Sequence, residues 1–459
     1  MAGYSTNFCA LVLDSFWQGD HLSTPETHDA VYPGLNERRN RVAPLSDCTN
    51  RLTRRQLLTV SAAGAVNLFP LSAEARDDEH VGKPFLKELG FWDYTTPGAG
   101  GMEAFEKNDY LSLLDDMAQA GMNSLMIFVK WLTTGYRSRL DFLDQSPENL
   151  NIVSDNGLVR FAIEEANKRN IKVWLGAVAT YFDVRKFQSK PYRVITRMSG
   201  FSLPFQVGIF DADTPELIER IVRMFEELAI QFPGIGGFCV ELEGAGAEVG
   251  HRIPLYDAWA KEKGYPPFEQ LGHPFDPRTF DVSPWREYTT FSRLRVLRAV
   301  EEAIRAKGFQ GELAMICETG RKTYATGQEV DLKQYHAQLP HWAGITYEYE
   351  KWDHRYAMMD FCLDQPKKEG LKVYYLPRGV MTWGMPWPLP ITLEQSWQYD
   401  MEDILHFQPD GVWWFGCGTA NEGAHVSLKR LEQVGYRDGV AARRALIKST
   451  GALRKALKR

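Results

Sequence analysis

Residues 237–244 read Gly-Phe-Cys-Val-Glu-Leu-Glu-Gly. Two glutamates two residues apart at the end of an apolar run are the part of this chain best suited to chemistry. In a strand, alternate side chains face opposite ways, so Glu241 and Glu243 share one face and Leu242 opposes them. A carboxylate facing apolar helices is costly, so both should point into the interior of whatever sheet holds them. Two neighbouring carboxylates resist double ionisation, which raises the pKa of one. A carboxylic acid kept protonated near neutral pH can donate a proton to a departing glycosidic oxygen. Glu243, the outer residue, is placed as the acid, and Glu241 as the neighbour that tunes it from one layer below. The competing reading is a structural pair neutralised by Lys or Arg.

Further acidic groups fall at the ends of other apolar runs: Asp93, Glu318, Glu348 and Glu350. Any of them is a candidate second catalytic group, since carboxylate separation decides between inversion and retention. Tyr347 adjoins Glu348, so an ideal strand cannot aim both inward. Aromatic residues crowd the same ends, namely Trp92, Trp131, Tyr181, Trp352, Trp383, Trp387, Trp413 and Trp414. Amphipathic rings suit half-wet clefts and stack on the C–H faces of sugars, and about half of these are expected in a cleft. Lys130 and Arg378 lie at strand ends too. They are read as neutralising the glutamates, with recognition of an acidic sugar as the alternative. Asp93, Lys130, Trp131, Arg378, Trp383 and Trp414 are therefore the substrate-binding candidates. No HExxH, P-loop or paired-His spacing occurs, so neither a metal nor another cofactor is expected.

The elements that must hold these residues alternate strand and helix eight times from residue 88. Candidate strands are 89–94, 123–130, 171–180, 236–243, 312–318, 344–350, 372–380 and 411–416. Several are near-continuous apolar runs, of which Leu125-Met126-Ile127-Phe128-Val129 is the clearest, as a strand buried on both faces requires. Between them, Asn108 or Asp109 can cap a helix that ends at Gly121. Thr214-Pro215-Glu216 starts another, with Pro at its first position. Further helices are expected over 286–307, 393–406 and 427–447. Strand followed by helix eight times is the pattern of a closed parallel (β/α)₈ barrel, whose working face lies where strands run into helices. The alternative is a doubly wound open sheet, but Gly98-Ala99-Gly100-Gly101 lacks the nucleotide-loop spacing. Two of the loops on the working face are long, 183–213 and 244–284. The second carries Tyr256, Trp259, Tyr265 and Phe268 and reads as a lid or subsite wall.

With those elements in place, Ile235-x-Gly237-Phe238-x-Val240-Glu241-x-Glu243 resembles the fourth-strand signature of the chitinase and endo-hexosaminidase family of barrel glycoside hydrolases. The resemblance implies that Glu243 is the catalytic acid and Glu241 its neighbouring carboxylate. Cys239 stands where that family has its innermost acidic residue. Ile345-Thr346-Tyr347-Glu348 is similar to the family's Met-x-Tyr-Asp segment, in which the Tyr assists the acetamido group of the substrate, with Glu348 in place of Asp. The family's eighth-strand Trp position holds Phe415 here, beside Trp413 and Trp414. The resemblance covers the fourth to eighth strands loosely and the first three poorly.

Composition agrees with a globular domain, 44% hydrophobic and 24% charged, and a net charge of -6 gives no reason to expect nucleic acid as a partner. The expected partner is an oligo- or polysaccharide, with no membrane association of the mature form. Thr53-Arg54-Arg55-Gln56-Leu57-Leu58, an apolar stretch to Leu71 and then Ala73-Glu74-Ala75 make a secretory signal of the twin-arginine type. Residues 1–75 are thus expected to be a leader, with an over-extended start ahead of the signal. Residues 76–459 are then one barrel domain with an insertion at 244–284, exported to the periplasm or beyond. The cysteines that remain after cleavage, Cys239, Cys317, Cys362 and Cys417, form no metal-like cluster and are expected reduced and buried. An exported glycoside hydrolase is the function expected. The alternatives are a non-catalytic carbohydrate-binding barrel and a barrel lyase or metal-dependent hydrolase.

Overall fold

Apolar runs such as Leu125–Val129 are apolar on both sides because each barrel strand is covered twice. In the computed structural model, Leu125, Ile127 and Val129 pack in the layer between strands and helices, while Met126 and Phe128 fill the barrel. The structure describes residues 83–96, 101–143, 156–198, 201–242, 249–273, 279–318, 332–339, 342–348, 365–380, 392–420 and 428–457. These belong to one compact unit, Asp77–Arg459. The expected leader lies outside the described residues.

Among the described residues, eight parallel strands close a barrel. They are β1 (Glu88–Tyr94), β2 (Ser124–Lys130), β3 (Lys172–Val178), β7 (Gly237–Glu241), β8 (Glu312–Glu318), β9 (Trp342–Glu348), β10 (Val373–Leu376) and β11 (Gly411–Phe415). Closure is made by β1 pairing with both β2 and β11, with Gly90 opposite Ser124 and Trp413. An open doubly wound sheet is thereby excluded, and each of the eight candidate strands is found.

The long segment after β3 is not a loop. It folds into an antiparallel sheet of β4 (Tyr181–Asp183), β5 (Arg193–Met198) and β6 (Phe201–Ile209), in the order β4-β6-β5.

The helices follow their sequence signals with two corrections. α1 (Lys107–Ala120) is capped by Glu106, not by Asn108 or Asp109. Asp109 sits at the third helical position and accepts the Glu106 backbone N–H at 2.9 Å, which closes a capping box. Gly121, at φ 71°, ends the helix in the left-handed conformation. α2 (Gly157–Lys168) and α3 (Pro215–Gln231) follow, the latter with Pro at its start as expected. α4 (Val249–Lys263) lies in the 244–284 insertion, and α5 (Val282–Ala306) begins four residues earlier than expected, capped by Asp281. α6 (Leu332–Gln338), α7 (Gln365–Lys368) and α8 (Leu393–Phe407) complete the middle of the chain. The single helix expected over 427–447 is two, α9 (Leu428–Gln433) and α10 (Gly439–Ser449), before α11 (Gly451–Ala456). Gly435 at φ 90° breaks the run, and Asp438 accepts the Ala441 N–H at 2.7 Å to start α10 afresh.

The barrel is filled rather than hollow. Large rings from one strand occupy the space left by glycine on the next. A Cβ on Gly237 would lie 2.3 Å from the Trp174 ring, and one on Gly176 2.3 Å from the Phe128 ring. At the N-terminal ends of the strands the floor is polar. Glu88 accepts from the Ser124 hydroxyl and the Trp174 indole, both at 2.7 Å, and from Lys172 Nζ at 2.8 Å. Lys172 also pairs with Glu312 and lies 4.3 Å over the Trp174 ring, and Trp413 donates to Ser124 Oγ at 2.8 Å. One carboxylate thus ties β1, β2 and β3 together and satisfies polar groups that the fill would otherwise bury unpaired.

Glu88→Ala removes the acceptor for all three donors and leaves Lys172 with Glu312 alone. The expected outcome is a loss of roughly 3–5 kcal/mol in urea unfolding, the usual cost of breaking a largely buried ion-paired network. A loss under 1 kcal/mol would show that the floor is incidental.

Candidate active site at the barrel mouth

Glu241 is the last residue of β7 and is 1% exposed. Cys239, two residues earlier on the same face, lies in the interior cluster with Trp92, Phe128, Ala314 and Phe415. Alternation therefore brings Glu241 inward at the C-terminal mouth, where its register neighbours are Val178 and Ile316. The Tyr94 hydroxyl lies 3.5 Å from Glu241 Oε2. Tyr94 in turn meets Phe128 at 5.1 Å and Trp131 at 5.9 Å between ring centroids. The inward position of Cys239 suits its surroundings, because an apolar wall of rings accepts a small thiol more readily than a carboxylate.

Of the substrate-binding candidates, Lys130 and Trp131 join Glu241 and Tyr94 at this mouth. Lys130 is 2% exposed, and its ammonium donates to the carbonyls of Trp131 at 2.8 Å, Val178 at 3.3 Å and Tyr181, with the Phe182 ring 4.5 Å away. Its charge is thus held by the end of β3 and the start of β4. Arg378 is 3% exposed beyond the end of β10, where its backbone bridges Phe415.

Two candidates are placed elsewhere. Trp414 is fully buried in the layer between barrel and helices, because its neighbours Trp413 and Phe415 take the inward positions of β11. Phe415 stacks on Trp92 at 3.9 Å, inside the barrel. Asp93 is fully buried on the opposite face of β1 from Trp92 and Tyr94. Its carboxylate accepts the backbone N–H groups of Tyr94 at 2.8 Å, Gly101 at 3.1 Å and Cys417 at 3.1 Å. It clamps the segments that leave β1 and β11 and offers no surface to a ligand. Burial pushes its pKa up to about 6, outweighing the three N–H bonds that favour the charged form.

Glu318 and Glu348 end β8 and β9 and are register partners, as are Cys317 and Tyr347 one step below. The side chains of these four, together with Glu243, Trp383, Trp352 and Trp387, lie outside the described residues. Among the described cysteines, Cys239 and Cys417 are buried and unbridged.

The residues that sequence reasoning missed are Tyr94 and a second polar set at the insertion. The sequence signal for Tyr94 was its same-face spacing from Trp92 and Asp93's opposite parity. Asp211, just after β6, pairs with His251 of α4 at 2.7 Å and with Arg252 at 3.4 Å. Burial alone would raise the Asp211 carboxyl, but the His251 hydrogen bond and the Arg252 charge outweigh it and hold it below its usual range. The His251 ring stacks on Tyr192 at 3.8 Å, and Tyr192 packs against the barrel-mouth cluster. Asp213 accepts from the Tyr288 hydroxyl at 2.6 Å and pairs with Arg295 at 3.0 Å. These pairs join the β4-β6-β5 sheet to α4 and α5. The aromatic residues of the insertion do not join the cluster of the barrel mouth: Tyr256, Trp259 and Phe268 pack with Trp285 and Tyr288 in a core of their own. The insertion is a wall with its own packing.

Among the described residues no group of His, Cys, Asp and Glu is arranged to hold a metal ion, and no helix is long and apolar enough to cross a membrane.

No protein-family model matches this sequence. No curated protein matches it. In three dimensions the chain is similar to the PgaB (BpsB) glycoside hydrolase domain from Bordetella bronchiseptica. The identity is 11% and the TM-score 0.48, over 72% of this chain and 94% of that one. It is also similar to the catalytic domain of a β-amylase from Paenibacillus polymyxa, at 10% identity and a TM-score of 0.46, over 76% of this chain and 98% of that one. A third likeness is to a GH20 exo-β-N-acetylglucosaminidase from Vibrio harveyi, at 11% identity and a TM-score of 0.44, over 81% of this chain and 54% of that one.

The raised pKa of Asp93 has a stability consequence with a definite sign. The folded state holds the proton more tightly than the unfolded chain, whose ordinary value is 3.8. The contribution is therefore fully present below pH 3.8 and lost as pH rises through about 6. It amounts to on the order of 3 kcal/mol. Asp93→Asn, which cannot ionise, should show a flatter dependence of unfolding free energy on pH between 4 and 6 than the parent protein. Parallel curves in urea titrations at those two pH values would exclude Asp93 as the titrating group.

Proposed function

We propose that this chain is a glycoside hydrolase in which Glu243 is the general acid and Glu241 is the carboxylate beneath it. The observation that carries this reading is Glu241 itself, an inward-facing buried carboxylate at the C-terminal end of the fourth barrel strand, beside a tyrosine hydroxyl. Barrel enzymes keep their chemistry at that end of the strands. Glu243 follows by two residues, the spacing at which a strand repeats its face. Around Glu241 the mouth is built from Tyr94, Phe128 and Trp131, rings that exclude water from one side and suit the C–H face of a sugar. A carboxylic acid in such a place keeps its proton more readily than one in water, and a second carboxylate nearby adds to that effect. Glu318 or Glu348, at the paired ends of β8 and β9, is the candidate partner for water activation or nucleophilic attack. Tyr347 is the candidate that orients an acetamido group of the substrate. The substrate is an oligo- or polysaccharide.

The chain is also proposed to be exported. Arg54 and Arg55, directly ahead of the apolar stretch that ends before Ala73-Glu74-Ala75, address it to the twin-arginine route and hence to the periplasm or the medium.

Glu243→Gln keeps size and hydrogen bonding but removes the transferable proton. Turnover of an unactivated glycoside should fall by about 10²–10⁴-fold, with binding kept and with leaving groups that need no protonation affected less. Glu241→Gln should move the alkaline limb of the pH profile while leaving measurable turnover. Full activity in Glu243→Gln would pass the role to Glu318 or Glu348, and oligosaccharide binding without any turnover in the parent protein would favour the binding barrel.

For the address, replacing both Arg54 and Arg55 by Lys in the full chain should retain it in the cytoplasm of a bacterial host, as read by fractionation. Unimpaired export of that variant would refute the twin-arginine reading.

A further inference from the structure

On the outer face of the barrel, α4, α5 and α6 leave a cavity of about 420 Å³ between them. Its floor is aromatic. Phe291 is 44% exposed, and Trp259 lies 6.4 Å from it with the rings tilted by 32°. Trp259 is itself fixed by stacking on Tyr265 at 5.3 Å and by the aromatic core of the insertion. Trp259 is therefore held in place before any ligand arrives, and Phe291 lies open beside it.

The rim carries both signs of charge. Phe291, Arg298 and Glu302 fall on one stripe of α5 at helical spacing. Lys263 lines the α4 side and Gln338 the α6 side. Two other charges of the rim are already engaged, Arg295 with Asp213 at 3.0 Å and Glu287 with the Tyr265 hydroxyl. Among the described residues Lys263, Arg298 and Glu302 form no ion pair or side-chain hydrogen bond, even though Arg298 and Glu302 are one helical turn apart.

This combination selects a class of ligand. A polyanion would meet Glu302 and Glu287, and a polycation would meet Lys263 and Arg298. A wholly apolar ligand would take those polar groups out of water without pairing them. What fits is an uncharged ring with one apolar face and hydroxyls around its edge. The volume, within the lower half of the usual range for small-ligand sites, admits one or two pyranose units. We propose that this groove is a saccharide-binding site separate from the barrel mouth, which holds an uncharged stretch of a longer glycan against Phe291 and Trp259. The assignment rests on the chemistry of the groove and does not require the mouth to hydrolyse anything.

Native electrophoresis of the full chain through gels containing glycol chitin, hydroxyethylcellulose or soluble starch tests it. The parent protein should be retarded by at least one of these polymers. Phe291→Ala and Arg298→Ala, both at exposed positions and checked for folding by circular dichroism, should each weaken that retardation by about two- to tenfold, the worth of one aromatic or polar contact. Neither substitution should alter hydrolysis of a small chromogenic glycoside. No retardation by any of the three polymers, or retardation unchanged in both variants, would overturn the proposal. Loss of retardation in Phe291→Ala from a protein that hydrolyses no glycoside would leave the groove assigned and refute the glycosidase reading instead.

Discussion

The barrel depends on how its floor is sealed. Its interior is packed with Trp92, Phe128, Trp174, Tyr374, Trp413 and Phe415, and the indoles of Trp174 and Trp413 bring their N–H groups to the buried N-terminal end. Glu88 and Ser124 accept those two N–H groups, and Lys172 balances the carboxylate while covering the face of Trp174. Without that set, large amphipathic rings could not be buried at the N-terminal end without stranded polar atoms. With it, the rings stack upward from a fixed base. Gly237 and Gly176 are the steric complement, since each gives its space to a ring from the adjacent strand.

The filled interior sets what the mouth can be. Because rings occupy the middle layers, polar side chains of the inner face gather at the two ends of the strands, Glu88, Lys172 and Glu312 at the floor and Lys130 and Glu241 at the mouth. Glu241 and Asp93 show how parity assigns different work to two buried acids at the same end. Glu241 points inward beside the Tyr94 hydroxyl. Asp93, with odd parity on β1 next to inward Trp92 and Tyr94, points outward and spends both oxygens on backbone N–H groups of Tyr94, Gly101 and Cys417. The first faces the barrel interior; the second fixes the segments that frame the mouth.

The long connections after β3 and β7 build walls by different means. The first becomes a three-stranded sheet that continues from β4, whose Tyr181 lies in the mouth cluster. The second forms a helix with an aromatic core shared with α5. They meet through a hydrogen bond between Asp211 and His251, a buried ion pair of Asp211 with Arg252, and a partly exposed pair of Asp213 with Arg295. Truncating either partner of the buried Asp211–Arg252 pair leaves a charge in a poor dielectric, which is why that contact specifies one arrangement of the two walls. The same arrangement leaves Phe291 uncovered on the outer side of α5.

The sequence by itself determined the order and kind of the barrel elements. A strand buried on both faces must be apolar throughout, a helix on the outside must repeat every three to four residues, and eight such alternations leave few architectures. It also put Glu241 on the same face as Cys239 and Glu243, because alternation is a local rule that needs only the strand, and the cost of a carboxylate against apolar helices pointed that face inward. Tertiary structure decided the rest. Whether Trp413 or Trp414 enters the barrel depends on the register of β11 against β1, which no local pattern reveals. Asp93 is a clamp because residues 101 and 417, far apart in the chain, converge on it. The aromatic residues of the insertion looked like a cleft lining because composition reports that rings will be buried, and only the fold decides against what. The pairing of Asp211 with His251 spans forty residues and two elements, and such long-range polar contacts leave no periodic trace in a sequence.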